Sequence, residues 1–329
     1  MNERAALSSA HRRRRRTAGT LAVAAGLVIA ACGPDTPEVD PSTLGTRAER
    51  PAVRGDLAYG LVQRQVDFGP RVPGSDGHRA QLAWMVETLT PLADTVFTDT
   101  FSHTTKEGVA LELTNVHAVF GPQKGRRILL LAHWDTRPTS DQASDPADKA
   151  KPVPGANDGA SGVAVLLELA RLFHEQAPPT AVELLFVDGE DYGPTTDDMF
   201  LGARHYARTR VTESPPLFGV LLDMVGDTDL RLPMEGYSLE AAPQVVQRVW
   251  GLAQQLGYGT VFVSEVGQRI LDDHLPLIDA GVPTIDLIDF DYGPGNAYWH
   301  TPLDTPDKVS PRSLEIVGEV VAELVYRNR

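Results

Sequence analysis

The seven residues Ala156–Gly162, with the sequence ANDGASG, decide the fold of this chain. They place Asp158 among small residues, directly before an amphipathic segment that predicts a helix over residues 162–175. Two other polar landmarks, DGED at residues 188–191 and Trp299-His300, each follow an apolar run that predicts a buried strand. Because open α/β sheets carry their chemistry at the carboxyl ends of the strands, we expect these polar groups to meet at one edge.

Apolar runs and amphipathic segments alternate along most of the chain. Buried parallel strands are predicted over residues 128–132, 182–187, 217–222 and 284–288. An antiparallel pair is predicted over residues 95–101 and 111–120. Helices are predicted over residues 80–89, 162–175, 200–208, 242–256 and 311–326. This alternation predicts a three-layer α/β/α sandwich around a central mixed, mostly parallel sheet.

One long segment, residues 137–154, has no hydrophobic periodicity and carries Pro, Asp, Ser and Lys throughout. Long structureless loops in compact domains are often functional. This one connects His133 with Asp158, so it should border the pocket. It is either a lid or a surface excursion without a role.

The first fifty residues differ from the rest. A basic run, Arg12–Arg16, precedes an apolar stretch over residues 17–31 that is too short for a membrane span and typical of a signal peptide. We predict a signal peptide over residues 1–31, a disordered tether over residues 32–51 and one catalytic domain over residues 52–329.

The only cysteine of the chain, Cys32, directly follows Ile29-Ala30-Ala31. This context resembles the lipobox of bacterial lipoproteins, which implies lipidation of Cys32 after cleavage. The protein would then be an exported lipoprotein of the bacterial cell envelope, held at the membrane by its lipid alone. By analogy, Gly33 implies an outer-membrane anchor facing the periplasm or the exterior. The alternative is an ordinary secretory peptide with a chance cysteine.

The chain is strongly acidic, with 30 basic and 44 acidic residues and a formal net charge of −14. The predicted signal peptide holds six of the arginines and one of the glutamates, so the remaining chain has a net charge of −19. Nucleic acid selects basic surfaces, and we therefore expect no nucleic-acid partner.

Side chains that bind metals or transfer protons follow the predicted strands. Those at strand ends are His133, Glu190, Asp191 and Asp223. Two adjacent acids behind an apolar strand are unfavourable unless a cation neutralises them. Two carboxylates and an imidazole at this edge fit a zinc site with one open position, and a free carboxylate beside them, Glu190, fits a general base.

The residues alone also allow simpler roles. Asp158 is suited to cap the predicted helix by accepting backbone N–H groups. Asp272 and Asp273 begin a short helix, whose N-terminal dipole favours acids. Glu190 and Asp191 have the alternative of being solvated loop carboxylates.

Seven stretches, in order along nearly the whole domain, resemble the zinc-dependent glutaminyl-peptide cyclotransferases (glutaminyl cyclases), above all their bacterial branch. That family shares its fold with the zinc aminopeptidases. The stretches are FGPRVPGS at 68–75, AHWDTRP at 132–138, GANDGASG at 155–162, DGEDYG at 188–193, LDMVG at 222–226, DDH at 272–274 and WHT at 299–301.

The resemblance implies a function and a set of roles. One zinc per chain would be bound, and its implied ligands are Asp158, Asp191 and His300. Glu190 would be the general acid and base, with Asp223 and Asp272 hydrogen-bonded around it, and Trp299 would form an aromatic wall of the substrate pocket. The implied substrates are peptides or proteins with an N-terminal glutamine, which is converted to pyroglutamate with release of ammonia.

The chain departs from the animal cyclases at three places. They carry a glutamate where Asp191 stands and a histidine where Asp286 stands. They also have a second pocket tryptophan, for which residues 194–198 offer no match. These departures affect the expected substrate contacts more than the metal site.

Two other functions stay open at this stage. A zinc aminopeptidase needs the same scaffold with two metals, and His133 and Asp223 would complete a second metal site with Asp158 as the bridge. A lipid-anchored binding protein that kept the fold without chemistry is the other alternative. The retained Glu190 and the complete ligand set argue against it.

Overall fold

The structure, a computed structural model, describes residues 46–122 and 124–328. The signal peptide, Cys32 and most of the predicted tether lie outside the described residues. All described residues belong to one compact unit. Within the described ranges, no helix combines the length and apolar character needed to cross a membrane.

A six-stranded sheet forms the centre of the domain. Its strands are β1 (Thr95–Thr104), β2 (Ala110–Phe120), β3 (Ile128–His133), β4 (Val182–Val187), β5 (Phe218–Asp223) and β8 (Thr284–Ile288). They lie in the order β1-β2-β4-β3-β5-β8. The strands β4, β3, β5 and β8 run parallel, whereas β2 pairs antiparallel with both β1 and β4. The predicted mixed, mostly parallel sheet is confirmed.

Helices cover both faces of this sheet. They are α1 (Gly55–Asp67), α2 (Asp76–Leu89), α3 (Ala160–Glu175), α4 (Leu201–Tyr206), α5 (Gly236–Ala241), α6 (Pro243–Gln255), α7 (His274–Asp279) and α8 (Pro311–Tyr326). Two short parallel strands, β6 (Leu232–Met234) and β7 (Phe262–Val266), form a separate small sheet.

Strand β3 shows why the sheet needs two helical layers. Alternate side chains of a strand point to opposite faces. Ile128, Leu130 and Ala132 join the core beneath α1, α3, α6 and α8. Leu129 and Leu131 join the core beneath α4 and α7. Every residue of β3 is buried, as expected of a central parallel strand.

Several elements differ from the sequence prediction. Helix α2 begins at Asp76, earlier than predicted, because the Ser75 hydroxyl accepts the backbone N–H of His78 at 3.1 Å and caps it. The helix predicted over residues 200–208 ends at Tyr206 and continues as a π-helical turn, Ala207–Val211. Helices α1 and α5 and the β6–β7 pair were not predicted from the sequence.

The described end of the predicted tether is bound to α8. The Arg50 side chain is 2% exposed, and its guanidinium lies 2.8 Å from Glu319 and 3.2 Å from Glu323. The backbone N–H of Ala48 also donates to Glu323, at 2.7 Å. Packing against the domain therefore extends into the range predicted as tether.

Candidate active site

Two glycines of the segment Ala156–Gly162 allow it to pack closely against the sheet. A Cβ on Gly162 would lie 2.1 Å from the Leu222 carbonyl oxygen and 2.9 Å from Ala132 Cβ, so only glycine lets α3 approach β3 and β5 this closely. Gly159 has a φ of 87° and serves as the N-cap residue of α3. Asp158 therefore does not cap the helix, and its side chain is directed to the end of β3 instead.

The three residues implied as zinc ligands come together at this edge. Ligand atoms of Asp158, Asp191 and His300 all lie within 4.8 Å of one another, and all three residues are buried. His300 Nε2 is 3.5 Å from Asp158 Oδ2 and 3.4 Å from Asp191 Oδ1. The second oxygen of Asp191 is buried without a hydrogen-bond partner. One imidazole and two carboxylates with an unpartnered oxygen fit a zinc ion.

A second group shares Asp158. His133 Nε2 lies 3.2 Å from Asp158 Oδ1 and 3.1 Å from Asp223 Oδ1. Burial lowers the pKa of His133, but the nearby carboxylates of Asp223, Asp135 and Asp158 outweigh it and raise that pKa well above its usual value. The two groups have the layout of a two-metal site with a bridging carboxylate, and His133 is equally suited to neutralise Asp158 and Asp223 itself.

Glu190 directly precedes Asp191 of the first group in the chain, and its Oε2 lies 3.8 Å from His133 Nδ1 of the second. The backbone N–H groups of Glu190 and Asp191 donate to Asp135, at 3.0 and 3.1 Å, which fixes the loop after β4. Burial raises the pKa of Glu190 well above its usual value; the charge of His133 opposes this shift, and Asp191 and Asp272 add to it. A buried carboxyl that readily takes up a proton is suited to general acid–base work.

Further carboxyls surround Glu190 on the side of α7 and β8. Burial raises the pKa of Asp272 and of Asp286 well above the usual value, and raises that of Asp273 to about 8. Both carboxyl oxygens of Asp286 are buried without a hydrogen-bond partner. A bound divalent cation would lower the pKa of nearby carboxyls, because its charge favours their anionic forms.

Trp299 covers His300. The two rings stack with centroids 3.9 Å apart, and the Phe290 ring makes an edge-on contact with Trp299, with centroids 4.9 Å apart. Next to this wall opens a cleft of about 1100 Å³, to which Ile270, Phe290 and Tyr298 contribute apolar surface. Phe290 thus belongs both to the aromatic wall around Trp299 and to the lining of this cleft.

Sequence reasoning missed four residues that hold the site. Asp304 accepts the backbone N–H groups of Asn157 and Asp158, at 2.8 and 3.2 Å. Asp135 fixes the loop after β4, and Arg137 and Asp141 contact the implied ligands Asp191 and His300. Asp135 and Arg137 lie within the AHWDTRP stretch, and that position was the only available signal for them.

Comparisons with known proteins agree with this architecture. The sequence model of peptidase family M28 matches residues 115–325. A glutaminyl cyclase from Bacteroides thetaiotaomicron, solved with bound N-acetylhistamine, is 37% identical, covers 85% of this chain and all of its own, and superposes with a TM-score of 0.82. A leucine aminopeptidase precursor from the same organism is also 37% identical, with a TM-score of 0.82 over 85% of this chain and 99% of its own.

Among curated proteins, the mouse glutaminyl-peptide cyclotransferase-like protein is 29% identical over 288 residues, which cover 77% of this chain and 70% of the relative. The resemblance to the glutaminyl cyclases is confirmed. The expected fold, which glutaminyl cyclases share with zinc aminopeptidases, is confirmed as well. Since the M28 match spans most of the chain and includes Asp158, Asp191 and His300, this chain belongs to peptidase family M28.

Proposed function

We propose that this chain converts the N-terminal glutamine of peptides or proteins to pyroglutamate and releases ammonia, using one zinc ion. One observation carries the proposal: Asp158, Asp191 and His300 form a buried group of possible zinc ligands, and the buried Glu190 directly precedes Asp191 in the chain. The similarity to glutaminyl cyclases supports the same reaction.

The residues divide the reaction among them. Zinc held by Asp158, Asp191 and His300 would supply Lewis acidity toward the side-chain amide of the substrate. Glu190 accepts a proton from the α-amine, whose nitrogen forms a bond to the amide carbon. As the carbon–nitrogen bond of the amide breaks, Glu190 returns the proton to the departing ammonia.

Other side chains position the substrate. The carboxylates of Asp223 and Asp272 are suited to accept charge-assisted hydrogen bonds from the α-amine. The face of Trp299 offers a large apolar surface for one short side chain. An N-terminal glutamine satisfies both requirements, because it presents an amine and a short side chain from the same residue.

The number of metals distinguishes this proposal from its rival. His133 hydrogen-bonds to Asp223 and lies within 3.2 Å of Asp158, which supports an imidazolium in place of a second cation. The rival, a zinc aminopeptidase, is supported by the grouping of His133, Asp158 and Asp223 as possible ligands. Its hydrolysis would require both metal positions.

Metal analysis and product analysis on the same preparation test the proposal. We expect one tightly bound zinc per chain, and a Gln-Xaa peptide that loses the mass of one ammonia without cleavage. The His300→Ala variant should lose both zinc and activity. Two zinc ions per chain, together with free leucine released from a Leu-Xaa peptide, would establish the aminopeptidase instead.

We also propose that Cys32 is lipidated and anchors the enzyme to the bacterial envelope, at the outer membrane. The Ile29-Ala30-Ala31-Cys32 context supports this, although it lies outside the described residues. The Cys32→Ser variant should move from the membrane fraction to the soluble fraction, since the lipid would be the only anchor. Equal membrane retention of Cys32→Ser and wild type would exclude the lipid anchor.

A further inference from the structure

The long loop over residues 137–154 is attached to the implied ligand His300. Asp141 Oδ1 lies 3.2 Å from His300 Nδ1. The backbone N–H of the next residue, Gln142, donates to the His300 carbonyl oxygen at 3.3 Å. His300 has a φ of 52°, a left-handed conformation that is uncommon for residues other than glycine. The loop thus holds both the backbone and the ring of a residue in a strained conformation.

A buried arginine connects this contact to a second implied ligand. Arg137 Nε and Nη2 lie 3.1 and 3.2 Å from the two oxygens of Asp141. Its Nη1 donates to Asp191 Oδ1 at 2.6 Å. One planar guanidinium therefore binds the carboxylate behind His300 and a carboxylate of the zinc-binding group at the same time.

The fold leaves room for this guanidinium. Gly193, which follows the loop of Glu190 and Asp191, has a φ of 62°, and a Cβ at this position would lie 2.9 to 3.1 Å from the guanidinium atoms of Arg137. The Arg137 side chain is only 6% exposed, whereas that of Asp141 is 37% exposed. Without Arg137, solvent would compete for the Asp141 carboxylate, so the buried arginine is what orients it.

We propose that Asp141 and Arg137 are positioning residues for the zinc ligands His300 and Asp191, an inference that rests on the ligand set of the proposed function. A carboxylate that accepts the Nδ1 proton fixes the tautomer and the plane of an imidazole, and leaves its Nε2 lone pair for a metal. In His300 that Nε2 faces Asp158 and Asp191. The loop then serves to orient ligands, rather than to close over the pocket.

Zinc affinity, measured by competition with a chelator on the purified full domain, tests this proposal. The variant Asp141→Ala should bind zinc about 10- to 100-fold more weakly, the usual effect of removing such a partner. The unfolding temperature of its metal-free form should stay close to that of wild type, because Asp141 is partly exposed. Added zinc should restore part of the cyclisation rate.

The variant Asp145→Ala is the matched control. Asp145 is an exposed aspartate of the same loop, and its side chain accepts the nearby backbone N–H of Ala147 rather than contacting an implied ligand. It should keep the zinc affinity of wild type. If Asp141→Ala bound zinc within about twofold of wild type, the proposal would be overturned. Residues that hydrogen-bond to a metal ligand usually contribute at least tenfold to metal affinity.

Arg137 is tested by a conservative substitution, because removing its positive charge would leave the buried Asp191 without its cation. Arg137→Lys keeps the charge but not the fork that reaches two carboxylates. Its effect on zinc affinity should be non-additive with Asp141→Ala, as expected for residues in one network. Fully additive effects would contradict the proposed connection.

The outcome also separates this inference from the proposed function. If His300→Ala loses zinc while Asp141→Ala keeps it, only the role of the loop is wrong. If His300→Ala retains the zinc of wild type, the ligand set itself is wrong, and the proposed function fails with it.

Discussion

Two adjacent acids in the site have opposite environments. Burial raises the pKa of Asp191, but the charges of His300 and Arg137 outweigh it and lower that pKa. At Glu190 burial outweighs the opposing charge of His133, and the pKa is raised. Groups whose environments separate their pKa values commonly divide the roles of ligand and proton carrier. The neighbouring positions therefore favour Asp191 as the ligand and Glu190 as the base.

The variant Glu190→Gln tests this division. The amide keeps the shape of the side chain but cannot take up the proton of the α-amine. General acid–base groups usually contribute about 10²- to 10⁴-fold to a rate, so we expect the cyclisation rate to fall by at least about 10²-fold. Zinc content should stay unchanged, because Glu190 is not one of the proposed ligands.

Ammonia release and metal content, measured on the same sample, give the result. Glu87→Gln, a change of an exposed glutamate on α2, is the control for loss of one negative charge. A rate within a few-fold of wild type would remove Glu190 from the mechanism.

At the scale of secondary-structure elements, the sequence predicted the parts whose burial follows a simple pattern. The parallel strands β3, β4, β5 and β8 are apolar throughout because both faces are covered. Their carboxyl ends lie at one edge, so the candidate residues that follow them could be predicted as neighbours.

Helix α1 escaped prediction for a physical reason. Its fully buried positions are Gly55, Ala58, Val62 and Gln65, of which only Ala58 and Val62 have apolar side chains. Gln65 is held by polar contacts instead, since it donates to the Ala160 carbonyl at 3.0 Å and accepts from Gln81 at 2.9 Å. Hydrophobic periodicity does not detect such packing. The contacts of Arg137 and Asp141 were not predicted for a related reason. The polar partners of a loop without hydrophobic periodicity are known only from the folded structure.

The packing of α3 on the sheet gives a prediction about stability. Gly162→Ala would bring a methyl group to 2.1 Å from the Leu222 carbonyl oxygen, and backbone atoms cannot move aside easily. We expect a loss of about 1–3 kcal/mol in the free energy of unfolding, as for other overpacked cores. Zinc affinity should fall as well, because α3 and Asp158 would shift together.

Gly60→Ala is the matched control, since Gly60 lies within α1 and a Cβ there would meet no atom within 4 Å. It should be neutral or stabilising by roughly 0.5–1 kcal/mol, because alanine favours a helix over glycine. Denaturant unfolding of both variants measures the difference. Equal stability of the two would show that α3 does not depend on the glycine contact.

At the scale of the whole molecule, negative charge is concentrated near the site. The cleft beside Trp299 is lined by six carboxyl side chains and one arginine. The carboxyl residues are Asp227, Asp229, Glu235, Glu265, Asp289 and Asp291. The arginine, Arg231, is paired with Glu265 and so adds no net positive charge. A cleft lined by one sign of charge focuses the field and attracts ligands of the opposite sign.

Peptide substrates should therefore be selected by charge beyond their first residue. If the chain after the N-terminal glutamine enters this cleft, peptides with Lys or Arg at the second and third positions should have a kcat/KM about tenfold higher than those with Glu, the lower end of the effect of a focused field on association. Salt should reduce the difference, since the charges of the peptide and of the cleft are both accessible to solvent.

The double variant Asp229→Asn/Asp291→Asn changes two exposed carboxylates of the cleft and should weaken the preference. The variant Glu87→Gln/Glu112→Gln changes the net charge equally at exposed positions outside the cleft lining and should not. Equal kcat/KM for basic and acidic peptides at low salt would place the peptide chain elsewhere.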